Sequence, residues 1–242
     1  MNFTVESKVK DVALSNPEAR RVLEQAGVDY CCGGGKPLGE ACLSTGTSAG
    51  AILDRLREAG ERVESDKTGW NSAPLSELTA HIRNRHHQYV REAISTVSAL
   101  LAKVWAKHGA NHPEVAEIER TFLELGNEML MHMQKEEQVL FPYIEAMERS
   151  VQQHSALEPP FFRTVRNPVQ AMMNEHDAAG ELTRRIREAS SSYTPPADAC
   201  TSYQALYQGL QEFEADLHEH VHLENNILFP RAVQLELSLS PG

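Results

Sequence analysis

Apolar residues recur at three- and four-residue spacing through most of this chain, and alternating, strand-like stretches are scarce. Leu75, Leu78 and Ile82 trace such a stripe, and Val90, Ile94, Val97 and Leu101 continue it. Leu125, Met129 and Val139 trace a second, Val165, Val169, Met172 and Ala179 a third, and Phe213, Leu217 and Ile227 a fourth. Prolines and capping residues bound these stripes as four long helices, roughly residues 74–107, 113–148, 159–190 and 201–237. Thr201 and Gln204 read as a capping box for the last, and "SSSYTPPADAC" before it reads as loop. The predicted fold class is all-α: an antiparallel four-helix bundle with a small helical domain in front of it.

The N-terminal part carries shorter signals. Ser15, Pro17 and Glu18 read as a capping box with proline in the first turn, and Gly27 as a helix stop. The stretch "DYCCGGGKPLGEAC", residues 29–42, follows, then a short helix and another near residues 49–59. The polar run "ERVESDKTGWNSA" reads as a linker. The expected division is therefore a small Cys-bearing domain over 1–60, a linker over 61–73 and the bundle over 74–242.

Composition narrows the function. With 242 residues and 41% hydrophobic side chains, the chain can bury a full core. It has no apolar run long enough for a membrane span and no apolar leader at its start, so no membrane association is expected. A formal net charge of −11 argues against a nucleic-acid partner. Four cysteines, two of them adjacent, make a poor disulfide framework, which favours a reduced, cytoplasmic setting.

An internal repeat carries the candidate chemistry. "HMQKEEQVLFP" begins at His132 and "HVHLENNILFP" at His220, an offset of 88 residues. The likeness extends backwards, with Leu125, Glu128 and Met129 matching Phe213, Asp216 and Leu217. His87 and His176, offset by 89, hold corresponding places in the first and third helices. His86 also continues an apolar stripe, but the repeat offset selects His87.

Residues four apart share a helical face, so His132 with Glu136, and His220 with Glu224, each present an imidazole and a carboxylate together. Both pairs lie on apolar stripes, where a carboxylate needs a cation or proton to offset its desolvation. A single H-x-x-x-E pair is common on helix surfaces; the duplication, with a matching histidine on each alternate helix, separates this one. Four imidazoles and two carboxylates suit iron, manganese or zinc rather than magnesium or calcium. One tetrahedral zinc leaves two ligands spare. Two metals bridged by Glu136 and Glu224 use all six, and two non-haem irons fit best. Glu128 and Glu175 are candidates for orienting a ligand or lining access to the site. His81, His108, His112, His154, His218 and His222 carry no such pattern and are expected on the solvated surface.

With these motifs in view, the chain resembles the bacterial repair-of-iron-centres proteins, which join an N-terminal Cys-Cys domain to a hemerythrin-like domain. The likeness rests on "DYCCGGGKPLGEAC", "SAPLSEL", "HMQKEEQVLFP", "NEHDAAGEL", "TPPADAC" and "HVHLENNILFP", which span nearly the whole chain. It implies a di-iron protein of nitrosative and oxidative stress whose ligands are His87, His132, Glu136, His176, His220 and Glu224. It places Glu128 and Glu175 along access to the irons, and brings Cys31 and Cys32 to the di-iron region. It implies repair of damaged or apo iron–sulfur proteins by iron donation, by reduction of nitric oxide to nitrous oxide, or both, and it allows a homodimer. Oxygen-carrying hemerythrins differ: where they have a second histidine on the third helix this chain has Gly180, and their last carboxylate is an aspartate one residue further on. A hemerythrin-type oxygen or redox sensor is the alternative. A ferritin-like iron oxidase is disfavoured, because those bundles use Glu-x-x-His.

The cysteine stretch keeps several readings. Three thiols lack a fourth ligand at zinc spacing, and a disulfide between neighbours is a strained ring. Gly33, Gly34 and Gly35 permit close backbone approach or simply a turn. Redox or iron transfer by Cys31 and Cys32 is the preferred expectation.

Overall fold

The computed structural model describes residues 3–30, 33–61 and 69–239, and nearly all their regular structure is helical. One isolated antiparallel bridge, Lys8 to Pro37, is the exception among the described residues. The chain clusters into two compact units, residues 1–74 with 218–230, and residues 75–217 with 231–242.

In the first unit, α1 (Val9–Ala13), α2 (Pro17–Gln25), α3 (Leu38–Ser44) and α4 (Ala49–Glu61) enclose a core that includes Val12, Leu23, Tyr30, Leu38, Ile52 and Leu56. Asn16, rather than Ser15, caps α2: its Oδ1 accepts the Ala19 N–H at 2.7 Å, while Ser15 donates back to the Val12 carbonyl. Pro17 already holds the first helical position, so the side chain that reaches the third amide comes from residue 16. Gly27 ends α2 at φ +65°, with Val28 N–H on the Leu23 carbonyl and Gly27 N–H on that of Glu24, a Schellman closure. Of the three consecutive glycines, Gly34 is needed for close approach. A Cβ there would lie 2.6 Å from the Tyr30 carbonyl oxygen, and the Gly34 carbonyl accepts from Lys10 N–H at 2.8 Å. Cys31 and Cys32, expected to act in redox or iron transfer, lie outside the described residues.

Residues 218–230 belong to this same unit. The Tyr30 ring packs edge-on against His222 (5.6 Å between centroids) and His218 (6.1 Å), and its carbonyl accepts from Asn226 Nδ2 at 3.1 Å. His218 Nδ1 meets Glu24 at 3.0 Å, and Arg20 pairs with Glu219 at 3.2 Å. His222 is fully buried, so neither it nor His218 is the solvated residue that spacing suggested. Tyr30 supplies the cover that makes the difference.

The second unit holds the bundle apart from residues 218–230 of its fourth helix. Its first helix runs through α5 (Leu75–His81), a π-helical segment over Ile82–His87 and α6 (Gln88–His108). The second runs through α7 (Glu114–Lys135), a π segment over Glu136–Leu140 and α8 (Phe141–Gln153). The third is α9 (Arg166–Ala189), and the fourth, α10 (Thr201–His222), leads through a third π segment, Leu223–Leu228, into α11 (Phe229–Leu239). Within this unit Phe122 of α7 meets Phe213 of α10 edge-on at 5.3 Å, and Arg187 of α9 grips buried Glu214 of α10 at 3.0 and 3.1 Å. The third helix begins later than the expected residue 159. Two adjacent prolines and a left-handed Arg163 (φ +70°) keep residues 159–165 out of a helix. Thr201 is already helical, and Cys200 stands before it where the cap was expected at Thr201.

The internal repeat extends to the helix starts. Glu148, at the end of the second helix, accepts from Leu75 N–H (2.7 Å), Ser76 N–H (3.0 Å) and the Ser76 hydroxyl (2.6 Å). Glu236, 88 residues on, accepts from Val165 N–H (2.7 Å) and the Thr164 hydroxyl. Each carboxylate therefore satisfies the orphan amides of the preceding odd-numbered helix, and sets a negative charge at its positive end.

Burial pushes the Glu148 carboxyl up, but its hydrogen bonds from Ser76 and Leu75 outweigh this and hold it below the usual carboxylate range. Its contribution is thus present above that range and is lost as pH falls through the depressed value. Glu148→Ala should cost about 1–2 kcal/mol at neutral pH. That corresponds to a melting-temperature loss of about 2–8 °C for a bundle of this size. Melts of metal-free protein at neutral pH and near pH 3 should show the difference from wild type shrinking in acid.

Candidate metal centre

Three π segments mark the places where candidate ligands sit. His87 closes the first, Glu136 opens the second and Glu224 lies in the third. A π turn inserts an extra residue into the helical ladder and swings the side chains near it, which is why such turns gather at functional sites. The second and third have a cause in the sequence. Pro142 and Pro230 follow them in "LFP", and a proline inside a helix removes one N–H and crowds the carbonyl four residues earlier.

In the second unit, fully buried Glu136 lies between two imidazoles, with its Oε2 3.3 Å from His87 Nε2 and 3.3 Å from His132 Nε2. His176 Nε2 is 3.1 Å from His132 Nε2, and ligand atoms of His132, Glu136 and His176 all lie within 4.8 Å of one another. Cis ligands on one ion with bonds of about 2.1 Å stand about 3.0 Å apart. The imidazole pair already has this spacing. His87, not His86, points to Glu136; His86 Nδ1 meets Asp216 at 3.1 Å instead.

The Nδ1 atoms of His87 and His132 are held by carboxylates. His87 Nδ1 donates to Glu137 at 2.7 Å, and Glu137 also takes two contacts of 2.9 Å from Arg91. His132 Nδ1 donates to Glu175 at 3.0 Å, and Lys135 pairs with the same carboxylate. Both rings thereby have their proton on Nδ1 and present Nε2 inward, as metal-bound histidines do. The hydrogen bond from His132, joined by that from Lys135, holds the Glu175 carboxyl down at about 2. Burial pushes Glu137 up, but hydrogen bonds from His87 and Arg91 prevail and keep it below the ordinary range. The His87 ring stacks on Phe141 at 5.7 Å, which fixes its plane.

In the first unit, His220 Nε2 and Glu224 Oε1 are 3.0 Å apart and both side chains are fully buried. The i,i+4 pair is thus closed in both copies of the motif. Glu128 is only half-buried on α7 and makes no hydrogen bond or ion pair among the described residues. Glu137 escaped sequence reasoning. Its repeat counterpart is Asn225, so the duplication does not mark it.

A helical bundle with a buried His/Glu cluster is a cation-binding architecture, and comparison with known families agrees. The sequence model described as "Hemerythrin HHE cation binding domain" matches residues 78–232, and the chain belongs to this family. A second, described as a domain of unknown function (DUF542), matches residues 5–60. Relatives named "Iron-sulfur cluster repair protein YtfE" share both parts. That of Escherichia coli O81 (strain ED1a) is 37% identical over 225 residues, covering 92% of this chain and 94% of the relative. Those of Citrobacter koseri and Escherichia fergusonii are each 36% identical over the same shares. No helix among the described residues is long and apolar enough to cross a membrane.

Removing an outer carboxylate while keeping every inner donor should weaken metal binding about 10–100-fold. Competition titrations of Glu137→Gln and Glu175→Gln against a chelator measure this; wild-type affinity in both would show that these carboxylates only pair with Arg91 and Lys135.

Proposed function

We propose that this chain is a non-haem di-iron protein that restores iron–sulfur clusters damaged by nitrosative and oxidative stress. In this reading His87, His132, Glu136, His176, His220 and Glu224 hold two irons, and Glu136 and Glu224 bridge them. The observation that carries it is the duplicated, buried His/Glu pair, in which Glu136 lies between two rings already oriented by outer carboxylates. All six proposed residues are at most 1% exposed, and a buried carboxylate in such a setting needs a cation or a proton to offset its desolvation, which supports a metal between the paired rings. The relatives' name, iron–sulfur cluster repair protein, supports damaged or apo iron–sulfur proteins as the clients of this reading.

When bound, two ferrous ions would supply labile iron for apo clusters, or electrons for reduction of nitric oxide to nitrous oxide. The chain's own residues do the rest. Glu137 and Glu175 keep the imidazoles in the binding tautomer, and Phe141 keeps the His87 ring in plane. Gly180 stands where oxygen carriers have another imidazole, so the proposed donor set leaves room for exogenous ligands and for iron release. The proposal divides the chain into a Cys-bearing domain over 1–60, a linker over 61–73 and the bundle over 74–242. It assigns redox or iron transfer to Cys31 and Cys32, a place along access to Glu128, the cytoplasm as compartment and a homodimer as assembly.

Glu136→Leu and Glu224→Leu should each abolish dinuclear iron binding, read by metal analysis and Mössbauer spectroscopy of anaerobically purified protein. Two irons per chain surviving in either variant would overturn the bridge. Cys31→Ser with Cys32→Ser should leave iron content unchanged and slow restoration of a damaged cluster protein. Reversible oxygen binding without any such restoration would favour the sensor instead.

A further inference from the structure

A second group of metal-ligating side chains lies at the far end of the bundle. α6 begins next to His87 and runs 21 residues to His108, about 30 Å along the helix axis. There the turn between α6 and α7 meets the loop that leads into α10. His112 Nε2 is 3.1 and 3.2 Å from the two carboxylate oxygens of Asp198. His108 Nε2 is 3.2 Å from Cys200 Sγ. Ligand atoms of His108, His112 and Asp198 all lie within 4.8 Å of one another. Sequence spacing left both histidines as solvated surface residues, because neither belongs to the repeat.

The surroundings resemble those of a built site more than a chance surface cluster. His112 Nδ1 is 2.9 Å from Glu114, whose carboxylate also accepts from the buried Tyr203 hydroxyl at 3.1 Å. That leaves Nε2 as the donor atom facing Asp198, the same carboxylate–imidazole pattern that orients His87 and His132. Both rings pack against the Tyr203 ring, at centroid distances of 5.5 Å for His108 and 5.4 Å for His112. Cys200 stands at the start of α10. Backbone N–H groups of Tyr203 and Ser202, together with His108, bring its thiol down to about 7.

We propose that His108, His112 and Asp198, closed by the thiolate of Cys200, bind a divalent transition-metal ion of the zinc class. Two imidazoles, one carboxylate and one thiolate form a borderline donor set that suits zinc and does not suit magnesium or calcium. A tetrahedral ion with bonds of about 2.0–2.3 Å has ligand atoms about 3.3–3.8 Å apart. The two tightest pairs here, at 3.1 and 3.2 Å, are slightly shorter than that range, and Cys200 Sγ, close to His108, stands outside the group of mutually close ligand atoms. The Asp198 side chain, 60% exposed, has the freedom to adjust the rest. Bound metal would tie the α6–α7 turn to the loop before α10, and so close the bundle end remote from Glu136.

The test uses the full-length, iron-loaded protein, with zinc added by equilibrium dialysis and both metals measured in one sample. Wild type should hold one zinc per chain beyond its iron. Asp198→Asn, an exposed substitution that spares the core, and His108→Gln should each weaken that zinc at least tenfold with iron content unchanged. Cobalt in place of zinc should give a sulfur-to-cobalt charge-transfer absorption that Cys200→Ser abolishes and Cys31→Ser with Cys32→Ser retains. Equal zinc retention in wild type and both ligand variants overturns the site. A cobalt spectrum indifferent to Cys200→Ser overturns the thiolate's part in it. Loss of iron alone bears on the di-iron reading and leaves this test intact.

Discussion

The bundle is organised around a carboxylate placed where water cannot reach it. Glu136 is fully buried, and an ionised carboxylate taken out of water costs on the order of several kcal/mol even after the protein relaxes. Its neighbours extend this problem outward in two chains. One runs from Glu136 through His87 and Glu137 to Arg91, the other through His132 and Glu175 to Lys135. Each chain alternates carboxylate, imidazole, carboxylate and surface cation. With neutral imidazoles the inner end remains negative, so the arrangement is stable as a receptor for positive charge. Hydrogen bonds from the imidazoles and the outer cations hold the relay carboxylates ionised, and these carboxylates fix each Nδ1–H outward so that Nε2 faces Glu136.

Such a centre needs side chains aimed more finely than a regular helix allows. The π turns at Ile82–His87, Glu136–Leu140 and Leu223–Leu228 provide the adjustment, at the expense of poorer backbone hydrogen bonding. In the second and fourth helices the distortion is written into the motif, because the proline of "LFP" has no N–H to complete the ladder. The same eleven residues therefore specify the donors and the bend that directs them. No proline follows the first π turn, and the sequence bears no comparable mark there.

This explains which features were legible before any coordinates. Duplication exposed His132, Glu136, His220 and Glu224, and the 89-residue offset preferred His87 over His86, which turns instead to Asp216. Helix periodicity placed the four helices, while their ends moved wherever a local conformation intervened, as at Arg163 before α9. Glu137 was hidden because it neighbours Glu136 in sequence and has no acidic counterpart at Asn225. Glu148 and Glu236 were visible at the repeat offset, yet their role as caps requires knowing that the end of one helix reaches the start of another. His108 and His112 belong to no repeat, and only the meeting of two loops joins them to Asp198.

The divergence between the two copies is as informative as their likeness. The His/Glu pairs and the capping glutamates recur because the geometry of two paired helices demands them twice. Leu130, Gln134 and Gln138 of the first copy are exposed, but their counterparts His218, His222 and Asn226 are partly or fully covered. Those three are the residues that meet Tyr30 and Glu24 of the N-terminal segment. One helical face has thus been left to solvent in the first copy and adapted to a protein surface in the second. Tyr30 immediately precedes Cys31, so the adapted face holds the backbone that leads into the paired cysteines. Gly34 locks the far side of that turn against Tyr30 and Lys10, where any Cβ would collide. The contacts to the second copy hold Tyr30, and the lack of a Cβ lets Gly34 pack against it, so the two described residues on either side of positions 31–33 are each fixed by close packing.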